Sequence, residues 1–166
     1  MAELMPKERL QPSLLDRLTD EEPHKTVEPR SLRVLPMAKL REAVRRDLTW
    51  LFNTTNLAAL QDLEDYPDVA HSVINFGIPE LAGHLLSNTD VGELERTLRQ
   101  AILDFEPRIL RNSVKIRAVV DADRMDANTA IFEIEGELWG QPAPEHLILR
   151  TQLDLETGDV NVRERL

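Results

Sequence analysis

A single change of hydrophobic period, at Pro107, constrains this chain more than any other feature. Upstream of it, apolar residues recur every three or four positions, the repeat of one helix face. Downstream they alternate, the repeat of a strand with one buried side. Met37, Leu40, Val44, Leu48 and Leu51 predict a helix over Met37–Asn53, ended by Asn53-Thr54-Thr55-Asn56. A short helix is expected from about Pro67 to Asn75, with Pro67 suited to its first turn and Gly77 to its stop. Val69, Val73 and Phe76 would face inward. Another helix is expected from Asp90 to about Phe105. There Asp90 and Glu93 have capping-box spacing, and Val91, Leu94, Leu98, Ala101, Ile102 and Phe105 supply the stripe. Pro107 ends it, because the residue before a proline is pushed out of helical geometry.

Beyond Pro107, Val114, Ile116, Ala118 and Val120 alternate with Lys115, Arg117 and Asp121. Ala130, Phe132, Ile134 and Leu138 alternate with Glu133, Glu135 and Glu137, and Leu147, Leu149, Leu153 and Leu155 share a third face. Glu156-Thr157-Gly158-Asp159 reads as a tight turn into a last strand, Val160–Arg163. Lys115 and Arg117 are expected across from Glu133 to Glu137 on the solvated face. Helices first and strands last give an α+β class: an N-terminal extended arm and helices, followed by a small antiparallel β-sheet of three to four strands.

The arm is residues 1–36, where Pro6, Pro12, Pro23, Pro29 and Pro36 leave room for one short helix. That helix is Ser13–Leu18, with Ser13 as N-cap and Leu14, Leu15 and Leu18 as its apolar face. Residues 1 to about 12 are expected to be poorly packed in the isolated protein, and 37–166 to form a single α+β domain.

Composition then removes whole classes of chemistry. The chain has no cysteine, so it holds no disulfide, thiolate metal site or thiol nucleophile. Nothing near Met1 resembles an export signal and no apolar run is long enough to span a bilayer, so a cytoplasmic address is expected, with no membrane insertion. A formal net charge of −10 disfavours nucleic acid as a partner. The acids are unevenly spread: Leu57 to Glu95 holds Asp62, Glu64, Asp65, Asp68, Glu80, Asp90, Glu93 and Glu95 and no Lys or Arg. That stretch is either an acidic docking face or a solvated, loop-rich surface.

His24, His71, His84 and His146 are far apart in the chain, with no metal-binding spacing, and no nucleotide-binding or hydrolase motif occurs. No catalytic, cofactor or metal residue is therefore assigned. Carboxylates are the one abundant reactive group, which makes a peptidoglycan-cleaving hydrolase the alternative reading, with Glu106 beside Phe105 the best-placed acid. Arg108, two residues on, would lower its pKa, the opposite of what a general acid requires.

Four segments taken in order carry a resemblance. They are Leu14-Leu15-Asp16-Arg17-Leu18; Val44-Arg45-Arg46-Asp47-Leu48-Thr49-Trp50-Leu51-Phe52-Asn53-Thr54; Tyr66-Pro67-Asp68-Val69 continuing through Ser72–Leu81; and Phe105-Glu106-Pro107-Arg108-Ile109. Together they resemble the phage baseplate wedge family, often labelled lysozyme-like, and within it the TssE baseplate subunits of type VI secretion systems. The resemblance implies a structural protein that binds the wedge subunits TssF and TssG and templates the contractile sheath of TssB and TssC. It implies partner binding through Glu106, Pro107 and Arg108, the family's Glu-Pro-Arg motif, and through Arg45 and Arg46.

The residues themselves leave other readings open. Arg45 and Arg46 also suit a solvated helix face, and Trp50 beside a leucine stripe is expected to pack in the core. Glu106 and Arg108, two apart around an extended proline, point the same way and present an acid and a guanidinium together. Exposed within the chain, such a pair is worth ~0–1 kcal/mol. Desolvated against a partner, loss of one member costs ~2–5 kcal/mol of binding. The last strand offers a second device, an open edge for a partner strand, unless Arg163, Glu164 and Arg165 serve to block it.

Overall fold

A computed structural model describes residues 13–19, 23–24, 36–80, 88–119, 129–140 and 143–165. The order is α1 (Leu14–Leu18), α2 (Met37–Phe52), α3 (Pro67–Ala70), α4 (Asn88–Phe105), β1 (Lys115–Ala118), β2 (Thr129–Leu138), β3 (Glu145–Asp154) and β4 (Val160–Glu164), with 3-10 turns at Leu57–Ala59 and Val73–Asn75. This is an α+β fold. The strands form one antiparallel sheet in sequence order, β1-β2-β3-β4, so among the described residues β1 and β4 are its edges. Strict alternation along β2 buries Ala130, Phe132, Ile134 and Leu138 and turns the glutamates away from the core. On the solvent face Lys115 stands opposite Glu135 and Arg117 opposite Glu133, as their spacing predicted.

The stripes of α2 and α4 close the core against that buried face, α2 toward β4 and α4 toward β1. Val44, Leu48 and Ile102 are fully shielded from solvent. Each such side chain contributes ~1.5–3 kcal/mol by leaving water. Polar stitches fix α2 over the sheet. Arg41 donates from Nη2 to the His146 carbonyl at 2.6 Å and pairs with Glu145 and Glu164. At the end of α2, Asn53 Nδ2 donates to the Val160 carbonyl (2.8 Å) while its Oδ1 accepts from the Val160 N–H (2.9 Å).

Several expectations need correction. The segment from Pro67 does not run as one helix to Asn75. The Ser72 hydroxyl accepts the Ile74 N–H and starts a separate 3-10 turn. The Asn75 amide is drawn inward to bond the Ala58 N–H (2.9 Å) and the Ala70 carbonyl (2.8 Å). Val73 therefore faces solvent at 82% exposure, while Phe76 packs edge-on against Phe105. The helix α4 begins at Asn88, so Asp90 lies inside its first turn and is not the cap. Trp50 is 51% exposed and not a core residue. Ser13 does cap α1, in a reciprocal box with Asp16, but Leu14, Leu15 and Leu18 lie open to solvent. The expectation for residues 1–12 lies outside the described residues.

One glycine is demanded by geometry. Gly77 has φ +125°, and a Cβ there would stand 2.2 Å from the Thr54 carbonyl oxygen. Its neighbour Ile78 exchanges backbone hydrogen bonds with Thr54 and Asn56, joining the chain after α2 to the chain before α4.

Candidate functional site

The Glu106-Pro107-Arg108 corner forms where α4 must stop. The Glu106 N–H still reaches the Ile102 carbonyl at 2.9 Å, but Pro107 has no N–H to continue the ladder. The chain turns there and is stitched at once to the end of β2. Leu110 N–H donates to the Glu137 carbonyl and Trp139 N–H to the Arg108 carbonyl, both at 2.8 Å. The corner is thus held by strand-like bonds on its far side, and its side chains are set by a rigid backbone.

Pro107 is exposed, and Glu106 is only 3% exposed. The Glu106 Oε1 accepts from the Arg108 N–H (3.1 Å) and Nε (2.7 Å), and Oε2 accepts from Arg108 Nη2. The two residues do point the same way, and they meet in a two-pronged contact. The figure for an exposed pair does not apply, because the acid is buried within its own chain.

The contact continues as a row of alternating charge. Arg108 Nη2 also donates to Asp47 Oδ2 at 2.6 Å. Asp47 Oδ1 accepts from Arg46 Nε, and Arg46 Nη1 donates to Asp16 Oδ1, both at 2.8 Å. Asp16 closes the row by accepting from the Ser13 hydroxyl at 2.6 Å. Five ionised groups, from Glu106 through Arg108, Asp47 and Arg46 to Asp16, therefore tie the α4–β1 corner to α2 and then to the arm helix α1. Arg46 also lies over the Trp50 ring, 5.1 Å from its centre, which holds the indole at the surface.

The electrostatics follow from the partners. Burial by itself would lower the pKa of Arg108, but the hydrogen bonds and charge of Glu106, then of Asp47, outweigh it and raise the value. Burial likewise works against Arg46, and Asp16 and Asp47 raise it. For Asp16 burial acts upward, and the Ser13 hydroxyl and Arg46 together bring the carboxyl below its ordinary range. For Arg108, Arg46 and Asp16 the partners in the row thus favour the charged form.

The row brings Glu106, Pro107, Arg108 and Arg46 together. Arg45, one position along α2, is half-buried and makes no ion pair among the described residues. Sequence reasoning missed Asp47, Asp16 and Arg41. Asp47 could have been suspected from the helical spacing that sets it beside the leucine stripe. Nothing local in the sequence marks its partner 61 positions away.

The sheet supplies a second surface. The bonds from Asp154 N–H to the Asp159 carbonyl and from Arg165 N–H to the Ile148 carbonyl fix which residues of β4 bond inward to β3. By that alternation the N–H and C=O of Val160, Val162 and Glu164 point outward. Asn53 satisfies both groups of Val160 as a neighbouring strand would. The edge is therefore capped at the Val160 end; Val162 beyond it is buried and Glu164 is half-buried.

Among the described residues no three His, Asp or Glu side chains converge as a metal site, and no helix is long and apolar enough to cross a membrane. No curated protein matches the chain. Residues 38–143 match the family of baseplate wedge protein gp25. The match runs from α2 through the Glu106–Arg108 corner and β2 almost to the start of β3, well over half of the 166 residues, and the chain belongs to the baseplate wedge protein gp25 family.

Proposed function

We propose that this chain is a non-enzymatic structural subunit of the baseplate of a type VI secretion apparatus, of the TssE kind, working in the cytoplasm. It binds the wedge subunits TssF and TssG and gives the sheath proteins TssB and TssC their first template. Membership of the baseplate wedge family carries this reading. The corner geometry supports it: a rigid turn presents Pro107 and Arg108, Asp47 links Arg108 to Arg46 of α2, with Arg45 next to it in sequence, and Glu106 fixes the Arg108 fork. The same bonds weigh against a peptidoglycan hydrolase, because both oxygens of Glu106 are already taken up by the Arg108 guanidinium of its own chain. The outward backbone groups of the half-buried Glu164 at the end of β4 support the sheath role, since an added strand would complete them.

Co-purification tests the wedge contact. The tagged chain should retain TssF- and TssG-type proteins, and Arg45→Glu should weaken that retention at least tenfold with an unchanged melting temperature, a free-energy loss of ~1.4 kcal/mol or more. Failure of the intact chain to retain either protein, together with release of soluble fragments from peptidoglycan, would replace this reading with the hydrolase.

A further inference from the structure

The segment between α2 and α4 exposes more large apolar surface than its packing needs. Leu60 is 81% exposed, Tyr66 61%, Val73 82% and Ile74 66%. They are not scattered over the molecule. The 3-10 turn Leu57–Ala59 leads into Leu60, Tyr66 starts α3, and Val73 and Ile74 lie in the second 3-10 turn. Asn75 joins these pieces. It is buried, and its one amide bonds the first turn at Ala58 and the end of α3 at Ala70. Asn56 and Ser72 cap the two 3-10 turns from their own side chains. The apolar residues are therefore displayed by a braced scaffold.

Charge defines what could cover them. Asp62, Glu64, Asp65, Asp68 and Glu80 are exposed on the same segment, and none forms an ion pair with a described residue. His71 of the same segment lies 3.1 Å from the Asp104 carboxylate of α4. No Lys or Arg occurs from Leu57 to Glu95. Anionic lipid and nucleic acid are repelled by so acidic a segment, and a second copy of it is repelled as well. Large exposed apolar patches rimmed by polar groups mark interaction sites.

We propose that the Leu60–Tyr66–Val73–Ile74 face is a docking site for a basic amphipathic protein segment, one that sets large apolar side chains between lysines or arginines. The apolar residues give the contact its hold, and the carboxylates select a cationic partner and orient it. This face shares no residue with the Glu106–Arg108 corner or the β4 edge, and the proposal stands independently of the baseplate reading.

Three synthetic peptides test it. They share one leucine and tryptophan pattern and differ only in carrying Lys, Gln or Glu at the remaining positions. Each is titrated against the full chain by fluorescence anisotropy. The Lys peptide should bind at least tenfold tighter than the Gln peptide, and the Glu peptide should not bind. The double variant Val73→Ser/Ile74→Ser keeps every charge, and both side chains are exposed, so its melting temperature should not move. It should bind the Lys peptide at least tenfold more weakly. Asp65→Asn/Asp68→Asn should narrow the gap between the Lys and Gln peptides. Equal binding of the Lys peptide to intact chain and Val73→Ser/Ile74→Ser would reduce the effect to general charge attraction and overturn the proposal. Absence of binding by the Lys peptide would overturn it equally, as would a concentration-dependent dimer that Val73→Ser/Ile74→Ser abolishes.

Discussion

Arg108→Ala removes the guanidinium from a carboxylate that the protein has already taken out of water. Glu106 then keeps one bond, from the Arg108 backbone N–H at 3.1 Å, and loses those from Nε and Nη2. Asp47 loses its 2.6 Å contact as well. Breaking a buried pair by removing one partner costs about 3–5 kcal/mol. The surviving backbone bond and the 21% exposure of the Arg108 side chain, which lets water follow, bring the expectation down to about 2–4 kcal/mol. At ~3 °C per kcal/mol for a chain of this size, the melting temperature should fall by ~6–12 °C. Arg108→Lys should recover less than half of that, since an ammonium cannot meet two carboxylate oxygens and Asp47 in one plane. The decisive comparison is Glu106→Gln/Arg108→Ala. If the loss comes from a stranded charge, the double variant should be more stable than Arg108→Ala alone, because an amide in the same place carries none. Thermal melts and urea titrations followed by circular dichroism measure all three. A fall of less than ~2 °C for Arg108→Ala, or a double variant less stable than the single, would refute this reasoning.

Two further perturbations test other joints of the fold. Gly77→Ala forces a Cβ against the Thr54 carbonyl at a positive φ and should cost ~1–3 kcal/mol, with hydrogen exchange at Ile78 and Asn56 rising first; unchanged protection of both amides would contradict it. The Asp16 carboxyl sits below its ordinary value of 3.8, so its latch on Arg46 is fully present above that pH and is lost as pH falls through the lower folded value. The Ser13 and Asp16 amide resonances should accordingly titrate with a midpoint below 3.8, and a midpoint above it would show that the latch is not formed.

What the sequence disclosed was whatever repeats. The stripe of α2, the stripe of α4 and the alternation of β2 and β3 each state their buried face several times over, and the register of Lys115 and Arg117 against the β2 glutamates followed from it. The errors fell where one side chain outweighed a pattern. Asn75 and Ser72 are ordinary turn residues in sequence, yet their amide and hydroxyl divide the expected Pro67–Asn75 helix and leave Val73 in solvent. Trp50 beside leucines looked like core, and the guanidinium of Arg46 one turn earlier gave it a surface partner instead. At the candidate site, the Glu106–Arg108 contact was legible because it is local and straddles a proline. Its extension to Asp47 was not, because that partner lies 61 positions away on α2 and is brought in only by tertiary packing. The Asn53 clamp on Val160 spans 107 positions and leaves no local mark at either residue.

The claim that this chain is a baseplate template is tested most directly by sheath assembly in cells that carry labelled sheath protein and lack the native copy of this chain. Supplying the intact chain should restore full-length sheaths. Glu164→Gln keeps the outward backbone N–H of β4 and should restore them too. Glu164→Pro removes that N–H without touching the ladder to β3, and should keep the fold and the wedge contact while sheaths fail to start. Sheaths that assemble normally with Glu164→Pro would remove the edge from the mechanism. Sheaths that assemble normally with no chain supplied would contradict the structural role itself.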